Sequence, residues 1–173
     1  AISLREGDQL VDVKLTNGHE EVLLATRGGL AIRFPEEEVR GMGRGTHGVI
    51  GINLTPGDEV VSMETVVPDA YFLAVTENGF GKRTSLNDYR SQSRGGKGLI
   101  NIKTTKRNGA VVAVKVVKEE EEIMIITAEG NIIRLKAGDI SAMGRATQGV
   151  TLMRLDEGDA VVAVAKVVEE NGA

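Results

Sequence analysis

A chain of 173 residues and 18.4 kDa is long enough for one ordinary domain with a hydrophobic core and too short to expect two independent ones. It is 41% hydrophobic, with no run near the roughly 20 apolar residues of a membrane-spanning helix; without Cys it has no disulfide or thiolate metal site, and without a signal-like N-terminus the expected address is cytoplasmic. The net charge of −4 hides a segregation: residues 82–107 hold eight Lys or Arg against Asp88 alone, so that window carries +7 and the remainder −11, enough to make one surface positive on an acidic body.

With 22 Gly and only 3% aromatics, the composition predicts many short strands joined by tight turns. Taken in chain order, the apolar segments Val22-Leu23-Leu24-Ala25-Thr26, Tyr71-Phe72-Leu73-Ala74-Val75-Thr76 and Ile123-Met124-Ile125-Ile126-Thr127 each run into a Gly-containing turn. The turn leads to a return segment in which Thr, Gly and Arg recur in register: Thr26, Gly29, Arg33; Thr76, Gly79, Arg83; Thr127, Gly130, Arg134. Each pair predicts a β-hairpin, with Asn78-Gly79 supplying positive φ at both turn positions. A second block follows each hairpin: Met42-Gly43-Arg44-Gly45-Thr46-His47-Gly48-Val49, Gln92-Ser93-Arg94-Gly95-Gly96-Lys97-Gly98-Leu99 and Met143-Gly144-Arg145-Ala146-Thr147-Gln148-Gly149-Val150. The segments beginning at Val49, Leu99 and Val150 predict a third strand per unit, and the Val-rich stretches 60–67, 111–117 and 161–168 a fourth.

Four strands per repeat of roughly 50 residues is the texture of propeller blades. The predicted fold is therefore all-β, with three four-stranded antiparallel blades in one domain. Three blades leave open strand edges that must be covered or matched, so pairing of two copies into a closed six-bladed homodimer is a further expectation.

On its Arg and Gly blocks the chain resembles the C-terminal domain of the bacterial DNA gyrase A protein, a six-bladed β-pinwheel, with the topoisomerase IV equivalent as a relative. Asn78-Gly79-Phe80-Gly81-Lys82-Arg83-Thr84, Ser93-Arg94-Gly95-Gly96-Lys97-Gly98 and Gly144-Arg145-Ala146-Thr147-Gln148-Gly149-Val150 carry the likeness, which covers essentially the whole chain. Gln92-Ser93-Arg94-Gly95-Gly96-Lys97-Gly98 is similar to the family's signature Q-[KR]-R-G-G-[KR]-G, departing at Ser93. The resemblance implies the last three blades, half of the ring, with units 7–57, 58–109 and 110–158 and a strand at 159–168 completing a neighbouring blade. It also implies non-specific binding and bending of double-stranded DNA around the outer rim, in a nucleoid-associated setting, with the rest of the gyrase A protein for a partner and catalysis elsewhere.

The residues make phosphate binding chemically sensible. Arg94 and Lys97 bracket Gly95 and Gly96, whose backbone N–H groups no Cβ would shield from a phosphate. Gln92 belongs to the same block; Lys82, Arg83, Arg90 and Lys103 flank it, and Arg33, Arg40, Arg44, Arg134 and Arg145 repeat part of the pattern in the other units. The competing reading is a structural or protein-interaction half-propeller that self-associates, in which repeated Arg covers apolar surface with its stem.

Other motifs lead nowhere. Gly43-Arg44-Gly45-Thr46-His47-Gly48 satisfies G-x-G-x-x-G but opens no helix, and Gly81-Lys82-Arg83-Thr84 lacks the first Gly of a P-loop, so no nucleotide cofactor is expected. His19 and His47 lack companions at metal-ligand spacing, and the runs Glu36-Glu37-Glu38 and Glu119 to Glu122 lack calcium-loop spacing. Tyr71 sits in an apolar strand and Tyr89 near the basic loop; neither is expected to be a DNA-cleaving nucleophile, and no catalytic activity or metal is expected.

Overall fold

The computed structural model describes residues 2–168. Eleven strands form three antiparallel sheets, and the only helical turns among these residues are three short 3-10 helices at Glu36–Glu38, Leu86–Asp88 and Ala137–Asp139. Strands β1 (Glu21–Thr26) and β2 (Leu30–Pro35) make the first hairpin, β4 (Tyr71–Thr76) and β5 (Phe80–Ser85) the second, β8 (Glu122–Thr127) and β9 (Ile132–Lys136) the third.

The strands of the first two hairpins are joined by three residues and those of the third by four, and in each turn the residue in the left-handed region is a glycine: Gly29 (φ 92°), Gly79 (φ 82°) and Gly130 (φ 87°). Asn78 is not left-handed. The Gly79 N–H instead closes a turn onto Thr76 O at 3.1 Å, so one positive-φ residue suffices where a two-residue turn would need both. The threonine before each turn is buried, and its hydroxyl bonds across the loop: Thr26 Oγ1 accepts from Leu30 N and Thr127 Oγ1 from Asn131 N.

The third strand of each sheet is Val-rich: β3 (Val60–Thr65) beside β1, β7 (Val111–Val117) beside β4, and β11 (Val161–Lys166) beside β8. Among these strands β7 lies against both β3 and β11, which puts them on the inner, axial side. Val111 N donates to Arg27 O, Val161 N to Glu77 O and Val114 N to Ser62 Oγ, each bond joining consecutive blades there.

The outer strand comes from elsewhere in the chain. β6 (Leu99–Ile100) pairs with β2 of the first sheet, and β10 (Val150–Thr151) pairs with β5 of the second. The second and third units each lend their outer strand to the sheet before them.

This exchange corrects three expectations. The third sheet, β11-β8-β9, has three strands, because no later unit among the described residues lends it an outer one. The segment at Val49 forms no strand, there being no earlier sheet among the described residues to receive it, and Ile50 is left 67% exposed. The stretch placed at 159–168 completes its own sheet through β11 rather than a neighbouring one, and likewise 60–65 belongs to the first blade, so the sheets cut the chain out of phase with units 7–57, 58–109 and 110–158.

Apolar faces pack blade on blade. Leu23, Ala25 and Ala31 of the first sheet meet Phe72, Ala74, Leu86 and Val114 of the second; Leu73, Val75 and Val117 of the second meet Ile123, Ile125 and Ile140 of the third. Phe72 and Tyr89 pack edge to face with centroids 5.3 Å apart.

Candidate nucleic-acid interface

The second and third Arg and Gly boxes lead directly into the outer strands β6 and β10, so the topology places them on the rim, opposite the axial Val strands, while the first box leads into no strand. Two glycines make this possible. Gly98 (φ 76°) and Gly149 (φ 78°) fall at the same place in consecutive boxes, and a Cβ there would lie 2.6 Å from Ala31 O and 2.7 Å from Gly81 O. Only glycine combines that backbone with so close an approach to the preceding blade.

Box backbones are also pinned. Gln92 N donates to Arg33 O at 2.8 Å and Met143 N to Arg83 O at 2.9 Å, seating each box on the strand of the preceding unit. Gly95 N donates to Gly51 O at 2.8 Å, so this amide is already engaged within the fold, contrary to the expectation that it faces a phosphate. Gly96 offers its carbonyl to Asn53 N at 2.8 Å.

The predicted cations fall into four settings. Lys82 is fully buried in β5; its Nζ donates to Gly144 O (2.6 Å) and Arg145 O (2.7 Å) of the third box, and burial, reinforced by the Arg145 charge, holds its pKa down at about 8. Arg83 is buried too, donating to Ile140 O (2.7 Å), Gly138 O (3.2 Å) and Glu119 Oε1 (3.2 Å), with its guanidinium 4.4 Å from the Tyr71 ring centroid. Arg33 repeats this one blade earlier, on Leu86 O and Tyr89 O, and pairs with Glu21, whose carboxyl its hydrogen bonds hold below the usual carboxylate range. In the third unit Arg134 pairs with Glu122 alone. Lys82, Arg83 and Arg33 are therefore joints between blades, turned away from solvent by the strand faces they occupy, and not rim cations.

Arg94 and Arg145 are half-buried. Arg94 Nε donates to Glu38 O at 3.0 Å and its Nη1 to Ile50 O at 2.5 Å, while Arg145 Nη1 donates to Ile100 O at 2.9 Å. Both box arginines thus reach back to the same register position of the preceding unit.

Arg40, Arg44, Arg90, Lys97 and Lys103 are exposed. Arg40 and Arg90 directly follow the residue capping the first and second 3-10 helices, Arg44 and Lys97 lie in boxes, and Lys103 follows β6. Also exposed are Lys106 and Arg107 of the basic window, the guanidinium of Arg107 lying 4.9 Å from the Phe80 ring centroid, and Arg154, which was not singled out from the sequence. Arg154 was legible, since it stands in the register of Lys103 in the next unit.

The set-aside motifs have plain structural settings. The Gly43 to Gly48 loop leads into no helix; His47 Nδ1 lies 2.9 Å from Ser3 O, and His19 3.3 Å from Glu37. Tyr89 is buried with its hydroxyl donating to Asn101 Oδ1 at 2.5 Å, and burial pushes that hydroxyl's pKa up. Among the described residues no three His, Asp or Glu are grouped to hold a metal ion, and no helix is long and apolar enough to cross a membrane.

A fourth copy of the inner segment was missed. Gly7-Asp8 and Leu10-Val11-Asp12-Val13 stand in register with Gly57-Asp58 and Val60-Val61-Ser62-Met63. The turn matches as well: Asp8 N donates to Arg5 O, Asp58 N to Thr55 O and Asp159 N to Asp156 O, all at 3.0–3.1 Å.

Comparison with known proteins gives the same phase. The family described as DNA gyrase C-terminal domain, beta-propeller, matches residues 1–17, 20–66, 70–118 and 121–167, each of the last three spans holding the hairpin and the Val-rich strand of one sheet. The chain is 67% identical over 167 residues to the DNA gyrase A protein of Halalkalibacterium halodurans, covering 96% of this chain and 20% of that one. It is 50% identical over 172 residues to the gyrase A protein of Staphylococcus aureus, covering 98% of this chain and 19% of that one. It thus spans about a fifth of the length of these relatives. Among solved structures, a DNA gyrase A C-terminal domain superposes with a TM-score of 0.90 at 32% identity, over 96% of this chain and 57% of that one. A DNA topoisomerase IV C-terminal domain superposes with a TM-score of 0.91 at 32% identity, over 96% and 52%. By sequence, by blade topology and by the phase of its repeats, the chain belongs to the DNA gyrase C-terminal domain, beta-propeller family.

Proposed function

We propose that the outer rim binds double-stranded DNA through its phosphates, without reading sequence, and bends it, as an accessory module of a gyrase A-type protein whose catalysis lies elsewhere. The observation that carries this reading is the exposed series Arg40, Arg44, Arg90, Lys97 and Lys103, borne by the boxes and by the segments next to them on successive units of an otherwise acidic chain. Their ammonium and guanidinium groups suit phosphate oxygens, and no base-reading element such as a groove-filling helix is present among the described residues. Bending a 20–30 base-pair site by 40–90° costs on the order of 1–6 kcal/mol, so contacts from more than one blade are required to offset it.

The test is the affinity for a random 40 base-pair duplex across a salt series. Neutralising about five phosphates gives a slope of log K against log salt near −4.5. Charge reversal at Lys97 and Arg90 is expected to lower affinity alike for duplexes of any sequence. Absence of binding at low salt, or affinity unchanged by both reversals, would refute the proposal and favour the self-associating structural module.

A further inference from the structure

One backbone contact recurs at every box. The carbonyls of Thr46, Gly96 and Thr147, at one register position, accept the N–H groups of Ser3 (3.1 Å), Asn53 (2.8 Å) and Lys103 (2.9 Å). The residue beside each box therefore belongs to the preceding unit. At the second box the cation is within the box, Lys97, and its seam neighbour Asn53 is neutral; at the third the box carries neutral Gln148 and the seam neighbour is Lys103. Each of these seams presents one exposed lysine, delivered from opposite sides.

The delivery of Lys103 is built. Asn108, fully buried, donates through Nδ2 to Lys103 O (2.8 Å) and to Gln148 O (3.1 Å), and Thr105 Oγ1 lies 3.2 Å from Gln148 Oε1. These bonds clamp the loop carrying Lys103 onto the third box. Arg94 and Arg145, meanwhile, direct guanidinium donors at backbone carbonyls of the preceding unit.

We propose that the seam between the second and third units is a composite phosphodiester site, in which Lys103, clamped by Asn108, takes the part that Lys97 takes within the second box, while Arg94 and Arg145 are positioning residues that hold the boxes and do not neutralise phosphate. This rests on the rim-binding reading above and refines it.

The experiment measures the salt slope for the 40 base-pair duplex with the whole chain and four variants. K103A and K97A are each expected to reduce the slope by about 0.9, one phosphate apiece. Adding Q148K to K103A is expected to restore both slope and affinity, since it moves the lysine from one side of the seam to the other. R94Q is expected to lower affinity with the slope unchanged. A K103A slope equal to that of the parent chain, or a loss that Q148K does not restore, overturns the composite site while K97A still reports on the rim. A full-phosphate drop for R94Q overturns the positioning role. If the parent chain itself binds no duplex, the rim-binding reading falls first and takes this one with it.

Discussion

A lysine serves DNA only where its ammonium meets solvent, and Lys82 and Lys97 fall on opposite sides of that condition. Lys82 lies on β5 and aims its ammonium at two carbonyls of the third box. Its pKa of about 8 lies below the ordinary lysine value of 10.5, so the folded chain gives up this proton before the unfolded chain does. Stability therefore rises with pH between about 8 and 10.5, on the order of 3 kcal/mol in all, and below pH 8 this group adds no pH dependence. The neutral amine can still donate to both carbonyls. Denaturation midpoints of the parent chain and K82M, compared from pH 7 to 10.5, are expected to diverge in favour of the parent above pH 8; parallel curves would show that Lys82 keeps an ordinary pKa in the fold. From sequence, Lys82 and Lys97 are equally basic members of one charged window, and nothing local to Lys82 says that its strand faces inward. The clue lies in the repeat: Ile32 and Ile133 occupy the same register position, and Ile32 is fully buried.

At the scale of strands, one arginine position shows how an identical residue changes role with its neighbours. Side-chain exposure is 18% for Arg33, 7% for Arg83 and 55% for Arg134, following whether a later blade among the described residues accepts the guanidinium. R83A leaves buried carbonyls without donors and removes the stacking on Tyr71, and is expected to cost about 3 kcal/mol, whereas R134A removes an exposed ion pair and is expected to cost less than about 1 kcal/mol. At this chain length that is roughly 6–12 °C against at most about 4 °C in melting temperature. Equal losses would mean that the joint on Ile140 and Gly138 contributes nothing. The hairpins and Val strands were readable because a Gly turn between apolar runs is a local signal. The destination of β6 and β10 was not, since two-residue strands carry no periodicity and their partners lie more than fifty residues earlier. Counting four strands per unit gave the correct number for the first two blades while assigning the fourth strand to the wrong one.

At the scale of the whole molecule, residues 82–107 carry +7 and the remainder −11, and within that window Lys82 and Arg83 are buried while Arg90, Lys97 and Lys103 are exposed. The acidic run Glu36 to Glu38 sits at the 3-10 helix of the first blade, where Glu38 takes hydrogen bonds from Arg94 of the second box, and the run Glu119 to Glu122 sits where β7 turns into β8. The segment before β1 exposes Leu10 (60%), Val13 (69%) and Leu15 (97%), apolar residues in the register of a buried inner strand, and β9 presents an unpaired edge among the described residues. Both surfaces favour association, so a mass that rises with concentration toward two copies is expected by sedimentation; a single-copy mass at all concentrations would exclude self-pairing.

The loan of each outer strand to the preceding sheet has a consequence for how the chain would respond to a cut. A nick between β5 and β6 separates two polypeptides, yet β6 on one is threaded into the sheet of the other, and β7 on the same piece completes the sheet whose hairpin lies on the first. The fragments are interlaced like clasped fingers, and parting them requires two sheets to come undone together. Damage to a box loop would thus silence its local contacts without shedding a blade, and the module would lose its grip on a ligand well before it lost its form.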